Sequence, residues 1–396
     1  TANTYKGIFI IMFSVISSGM VAVMTQNIGA GRPGGAYQAR QLGLAFNAVL
    51  GVIMSLFLSL GAGTILSGVG VADALMQPAK TYLQIVGGFC ILNALIPICS
   101  SYLRAFGFSK EPLYASIIGN VINFCLNAFF LFVLHKGVAG VATATVISRI
   151  INLVIVVLLG AVLVKAKQHP ERESNRAVMG QIIRIGLPSA CETAIYNVSM
   201  TLVIRFLNQM DAQGLNVTAR SYTMPITNFS YCVGAALAQA NAIMTGWHIG
   251  AKEYDACDRG TKKAAVIGVI VAVILETVFT LCSGWIMQLF SKDPQMVSLV
   301  GKLLAIDIVL EIGRVTNLVY GQALKTSGDA VFPVVMGACF MILCSVGGTY
   351  LFGIRLGLLA VGAYIGMTGG ECVRAVGMYL RWKSGKWKEK GLVKSR

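Results

Sequence analysis

Eleven runs of predominantly apolar residues, each long enough to cross the roughly 30 Å hydrocarbon core of a bilayer as a helix, set the limits on what this chain can fold into. They lie near residues 7–30, 42–66, 81–106, 113–134, 137–165, 182–208, 214–246, 263–290, 296–324, 331–353 and 357–380. Lipid offers no partner for a free backbone amide or carbonyl, so such runs are stable there as helices or as strands of a closed barrel. The alternating pattern of barrel strands is missing. An all-α polytopic membrane protein is therefore expected. Composition agrees: 56% of residues are hydrophobic and 12% charged, with a mean hydropathy of +0.73, whereas soluble domains carry roughly 25% charged residues.

The chain also repeats itself. Gln26-Asn27-Ile28-Gly29-Ala30-Gly31 is echoed by Trp247-His248-Ile249-Gly250-Ala251-Lys252, 221 positions on. Arg104-Ala105-Phe106-Gly107, followed by Pro112, is answered at the same offset by Lys325-Thr326-Ser327-Gly328 and Pro333. Gly137-Val138-Ala139-Gly140-Val141 matches Gly357-Leu358-Leu359-Ala360-Val361 at 220. Three matches in one order indicate a duplicated bundle. An even number of spans separates the copies, so both cross the membrane in the same sense, which predicts two parallel-repeat six-helix lobes. Gly186-Leu187-Pro188 reads as the first turn of the second half, where proline is tolerated. Its counterpart falls before Thr1, so the first helix of the N-lobe is expected to be absent from this chain. The expected domains are residues 1–165 (N-lobe, helices two to six), a polar interlobe linker at 166–180, and 181–396 (C-lobe, helices seven to twelve, with a basic tail).

The net charge of +16 is distributed in a way that argues against a nucleic-acid partner. Basic residues gather in alternate loops: Arg32 and Arg40; Arg104 and Lys110; Lys165, Lys167, Arg172 and Arg176; Lys252, Arg259, Lys262 and Lys263; then Arg381, Lys383, Lys386, Lys388, Lys390, Lys394 and Arg396 in the tail. By the positive-inside rule the C-terminus is cytoplasmic, in a multi-pass protein of a plasma or bacterial inner membrane. The basic tail suits anionic lipid headgroups. The ten cysteines are dispersed without a CxxC pair, and the three histidines sit at or beyond span ends, so no metal site or cofactor is expected. No HExxH or GxSxG motif supports an enzyme.

Ionisable groups inside the bilayer are the functional candidates, because a charge at its centre costs about 2.5–3.5 kcal/mol on insertion scales. Before the linker the only acids are Asp73 and Glu111; the second half places Glu192, Glu276, Asp307, Glu311 and Glu371 within spans. Glu192 lies ten residues into its span, about 15 Å deep at 1.5 Å per residue. Asp307, Glu311 and Arg314, at i, i+4 and i+7, share one helix face. A carboxylate beside a permanent cation can take up or release a proton or Na⁺ as its surroundings change. Glu192, Glu311 and Asp307 are thus the coupling-cation candidates, with a static Glu311–Arg314 pair as the rival explanation. Glu276 reads as facing a partner helix, and Glu371 with Arg374 as a self-neutralising i,i+3 pair. Tyr196, Tyr231, Arg220, Arg314 and the mid-span Arg149 are candidates to line a substrate cavity, the tyrosines by cation–π contact.

Gln26 to Arg32, Arg104 to Gly107 with Pro112, the paired Asn123 and Asn127, Gly137 to Thr145, and Glu192 four residues after Pro188 together resemble the motifs of the MATE (multidrug and toxic compound extrusion) family. The resemblance implies two six-helix lobes around a central cavity, working by alternating access; a monomer is expected. It also implies secondary active export of small organic, cationic or amphipathic compounds against Na⁺ or H⁺. The family's cation sites do not carry over residue by residue. Tyr196 and Arg314 stand where sodium-type members have acids, and Asn127, kept as a cavity residue, stands where proton-linked members have Asp. Glu192 and Glu311, about one turn away, are the expected substitutes. A lipid or lipid-linked oligosaccharide flippase of the same superfamily is the alternative, favoured by Arg149, Arg220 and Arg314.

Overall fold

The computed structural model describes residues 2–68, 73–164, 173–210 and 214–393, with backbone alone at residues 2–12, 14, 68, 73 and 74. Regular structure among the described residues is entirely helical. The first half comprises α1 (Ala2–Gly29), α2 (Pro33–Leu60), α3 (Ala62–Gly68), α4 (Asp73–Gly88), α5 (Ile91–Ala105), α6 (Lys110–Ala128) and α7 (Gly137–Leu163). Then follow α8 (Asn175–Met210), α9 (Leu215–Gly250), α10 (Tyr254–Leu281), α11 (Ser283–Gln288), α12 (Pro294–Ser327), α13 (Val331–Phe340) and α14 (Leu359–Lys383).

Five of these rods are long and apolar enough to span by composition alone: Pro33–Leu60, Lys110–Val133, Gly137–Leu163, Tyr254–Leu281 and Val331–Arg355. The pair Leu75–Gly88 and Ile91–Ala105, bent by 42°, adds a sixth if it is one broken span. The helices α8, α9, α12 and α14 are equally long but carry ionisable residues, as expected of helices enclosed by others. Large apolar side chains point outward instead, among them Leu60, Phe124, Phe132, Trp285 and Leu281. Such a surface suits lipid.

The chain divides into two compact units, Thr1–Ala190 and Cys191–Arg396. In the first, α1 packs on α2 and α5, α2 on α4, and α7 on α5 and α6. The start of α8 belongs to this unit. A Cβ on Gly186 would collide with the Val15 carbonyl, and one on Gly19 with the Ile182 carbonyl, so the two glycines let the backbones of α1 and α8 meet. The expected linker at 166–180 lies partly outside the described residues; its last part, from Asn175, is helical. Pro188 is therefore not in a first turn. It lies inside α8, because the segment from Asn175 already has α1 to pack against.

In the second unit α12 is central, packed on α9, α10 and α14. Leu303, Leu304, Leu310, Val315, Val319 and Leu324 on α12 are fully buried. The tail closes the unit at one end. Trp387 stacks on Trp382 with ring centroids 4.1 Å apart, and Trp382 Nε1 donates to Asp258 at 2.9 Å. Buried Asp329 accepts from Arg381 at 2.7 Å and from Lys390 at 2.8 Å. The tail basic residue Lys390, expected at lipid headgroups, is thus engaged by protein, while Lys394 and Arg396 lie outside the described residues.

The sequence echo is a structural one. Left-handed backbone occurs at Gly31 and Lys252 (φ +72° and +61°), at Gly107 and Gly328 (+89° and +101°), and at Gly137 and Gly357 (+52° and +68°). Arg32 N donates to Asn27 O at 2.8 Å, and Glu253 N to His248 O at 2.8 Å. A π-helical stretch closes the corresponding rods, at Phe129–Val133 and Thr349–Arg355. Turns, which depend on few side chains, have kept their geometry through the duplication.

Candidate functional site

The second unit contains a cavity of about 210 Å³ lined by Tyr196, Met200, Arg220, Met224, Thr227, Asn228, Tyr231, Asp307, Leu310, Arg314, Tyr364 and Met367. Five of the residues expected from the sequence therefore meet here: Tyr196, Tyr231, Arg220, Asp307 and Arg314. They come from α8, α9 and α12, with Tyr364 and Met367 supplied by α14.

Glu311 lies one turn beyond Asp307, fully buried, and is ion-paired with Arg314. The Arg314 guanidinium in turn lies 6.0 Å from the Tyr231 ring centroid. One oxygen each of Asp307 and Glu311 is buried without a hydrogen-bond partner. Both oxygens of Glu276 are in the same position. This third carboxyl, at 0% exposure, sits on α10 within electrostatic range of Asp307, Glu311 and Arg314. Glu276, expected to face a partner helix, is buried beside this group. A signal existed: Cys257, Thr261, Ala265, Gly268, Ala272 and Glu276 form one buried face of α10, with small residues that bring Glu276 close to its neighbours.

Three carboxyls, Glu276, Asp307 and Glu311, thus share their surroundings with two guanidiniums, Arg220 and Arg314. Buried charge is tolerated when matched. Arg314 is ion-paired with Glu311, while Glu276 has no hydrogen-bond partner among the described residues.

Glu192 is placed elsewhere. Its oxygens meet Lys325 at 2.5 Å and Arg374 at 3.1 Å, and Arg374 also meets Glu371 at 3.1 Å. Asn317 donates to Glu371 at 3.0 Å. Two cations and two anions balance in this network, which joins α8, α12 and α14. Because α8 starts at Asn175, Glu192 is roughly 25 Å along its helix at 1.5 Å per residue. The Glu371–Arg374 pair exists, but it is shared with Glu192.

Asn127 and Arg149 belong to the first unit and do not line this cavity. Asn127 donates to Asn123 at 3.0 Å, which donates to Ser148 at 3.3 Å; Arg149 is half-buried on α7. Metal-type clusters of His, Cys, Asp and Glu are absent among the described residues.

Comparison with known proteins decides the family. The family model MatE matches residues 1–129 and 188–351. This chain belongs to the MatE family. Among its relatives, the Bacillus subtilis (strain 168) uncharacterized transporter YisQ is 32% identical over 99% of this chain and 87% of its own. The Thermotoga maritima probable multidrug resistance protein NorM is 21% identical over 95% of this chain and 82% of its own. A crystal structure of MATE in the bent conformation superposes with a TM-score of 0.88 at 18% identity, covering 98% of this chain and 86% of that one. An outward-facing multidrug resistance MATE transporter of the MOP superfamily gives 0.87, also at 18% identity, covering 98% of this chain and 87% of its own. The fold class expected from the apolar runs and the repeat is thereby established. The protein is a multi-pass membrane transporter and not an enzyme.

Proposed function

We propose that this MatE-family transporter exports small organic compounds, cationic or amphipathic, by alternating access in exchange for Na⁺ or H⁺. The coupling cation is held by Asp307 and Glu311, with Glu276 as the third member of the group. The observation that carries this reading is the surplus carboxyl: three buried acids face two guanidiniums, and Asp307 lies on the cavity wall where a cationic substrate competes with the coupling ion. Exchange follows from that competition, since two cations that use one site displace each other. The tyrosine and methionine lining supplies the apolar, polarisable surface that organic cations favour. Relatives named as multidrug resistance proteins support the same substrate class.

In this reading Glu192 locks helices together, its charge already matched by Lys325 and Arg374. The protein works as a monomer with a cytoplasmic C-terminus. The flippase alternative drew on three arginines; Arg314 is taken by Glu311, which removes one of its supports. The test is dye efflux from proteoliposomes under an imposed Na⁺ or pH gradient. Glu311→Gln should reduce gradient-driven efflux at least tenfold at normal protein levels. Undiminished efflux would exclude Glu311 from coupling.

A further inference from the structure

Arg220 differs from the second unit's other buried or half-buried cations that meet the carboxylates. Arg314, Lys325, Arg374 and Arg381 each touch a carboxylate. Arg220, at 6% exposure, forms no ion pair among the described residues. Its two terminal nitrogens face thioethers, Met367 Sδ at 3.6 Å and Met200 Sδ at 3.7 Å, and its Nε is buried with no partner. Thioether sulfur is a weak acceptor. A guanidinium placed this way acts on Asp307 through its charge while its hydrogen-bonding capacity stays largely unused, and unmade buried hydrogen bonds are costly.

The same side chain lines the cavity, as does Asp307 from a different helix. The cavity therefore offers a cation from α9 and an anion from α12 in a lining that includes Tyr231 and Tyr364. We infer that Arg220 is a carboxylate-binding subsite, and that the transporter takes amphoteric substrates, in which a carboxylate meets Arg220 and an amine or ammonium meets Asp307. The planar fork of a guanidinium matches a carboxylate with two parallel hydrogen bonds. Tyrosine faces suit the flat body between the two charged ends. A purely cationic compound leaves the Arg220 donors unused, and a purely anionic one leaves Asp307 without an ammonium partner. This inference rests on the proposed export function for its physiological meaning, but the subsite itself is a matter of binding.

The test uses a matched fluorescent pair, a carboxyl-bearing rhodamine and its methyl ester, titrated against the full chain in detergent with polarisation as the readout. The wild-type protein should bind the free acid about tenfold more tightly than the ester, the range of one charge-assisted hydrogen-bonded pair. Arg220→Gln should abolish that ratio by weakening the acid and leaving the ester unchanged, and Arg220→Lys should keep part of it. Equal wild-type affinity for acid and ester, or equal loss of both in Arg220→Gln, would overturn the inference. If Arg220→Gln does not fold, the wild-type ratio and Arg220→Lys decide it. Binding with the expected ratio but no efflux from proteoliposomes would sink the export reading and leave the subsite standing.

Discussion

The two units share a backbone plan and differ in what they bury. At the place where the second unit puts Glu276, Asp307, Glu311 and Arg314, the repeat puts Ser55, Val86, Cys90 and Asn93 in the first. Cys90 packs with Phe13, Leu58 and Ala94 in an apolar cluster, and the Ser55 hydroxyl accepts from the Ile91 amide at 3.1 Å. The first unit fills these positions with uncharged residues, where α4 and α5 meet at a 42° bend, while α12 runs unbroken. The acids in the second unit are not required by the fold. Buried acids carry an energetic cost, which the proposed coupling role would explain.

The most severe way to break this comparison is to give the second unit the first unit's residues. The combined change Glu276→Ser, Asp307→Val, Glu311→Cys and Arg314→Asn should leave a folded, inserted protein, because it removes buried charged groups together with their unsatisfied oxygens. Gradient-driven efflux should fall at least a hundredfold. Loss of folding, seen as aggregation in size-exclusion chromatography, would mean that the cluster is structural.

A smaller effect separates the units at Asp329, whose counterpart is Phe108. Burial works to raise the Asp329 carboxyl, but hydrogen bonds and charge from Arg381 and Lys390 outweigh it and hold it below the ordinary value. A depressed acid stabilises the folded state above the unfolded pKa of about 3.9, and that contribution is lost as pH falls through the lower folded value. Asp329→Asn should destabilise by about 2–3 kcal/mol near neutral pH. In thermal melts the gap to wild type should narrow below about pH 4. A gap independent of pH would deny Asp329 its ionised role.

The smallest effect compares two copies of one turn. Gly107 has no neighbour within 4 Å of a built Cβ, whereas at Gly328 that atom would strike the Lys390 carbonyl. Gly107→Ala should carry only left-handed strain, about 1–2 kcal/mol. Gly328→Ala should exceed it, because the tail must also shift. Equal melting temperatures for the two variants would show that the tail does not press on the turn.

How much was legible in advance follows the same division. Helices and turns were readable, because membrane spans need long apolar runs and the turns need Gly31, Gly107 and Gly137 or their equivalents. Asp307, Glu311 and Arg314 were readable as one face because helical spacing alone puts them together. The grouping of Glu276 with them was not, since it depends on the crossing of α10 over α12. The partners of Glu192 were not legible for a related reason: only the fold brings Lys325 and Arg374 to it.

The central claim, that the second unit's acid cluster holds the coupling cation, is tested most directly by cation release on substrate binding. Purified protein in weakly buffered detergent solution, with a pH indicator and with radiolabelled Na⁺ in parallel, would be titrated with an exported dye. The account predicts release of about one cation per bound dye, as the single surplus carboxyl requires by linkage, and no release from the Asp307→Asn, Glu311→Gln double variant. The same release from that variant as from wild type would contradict it.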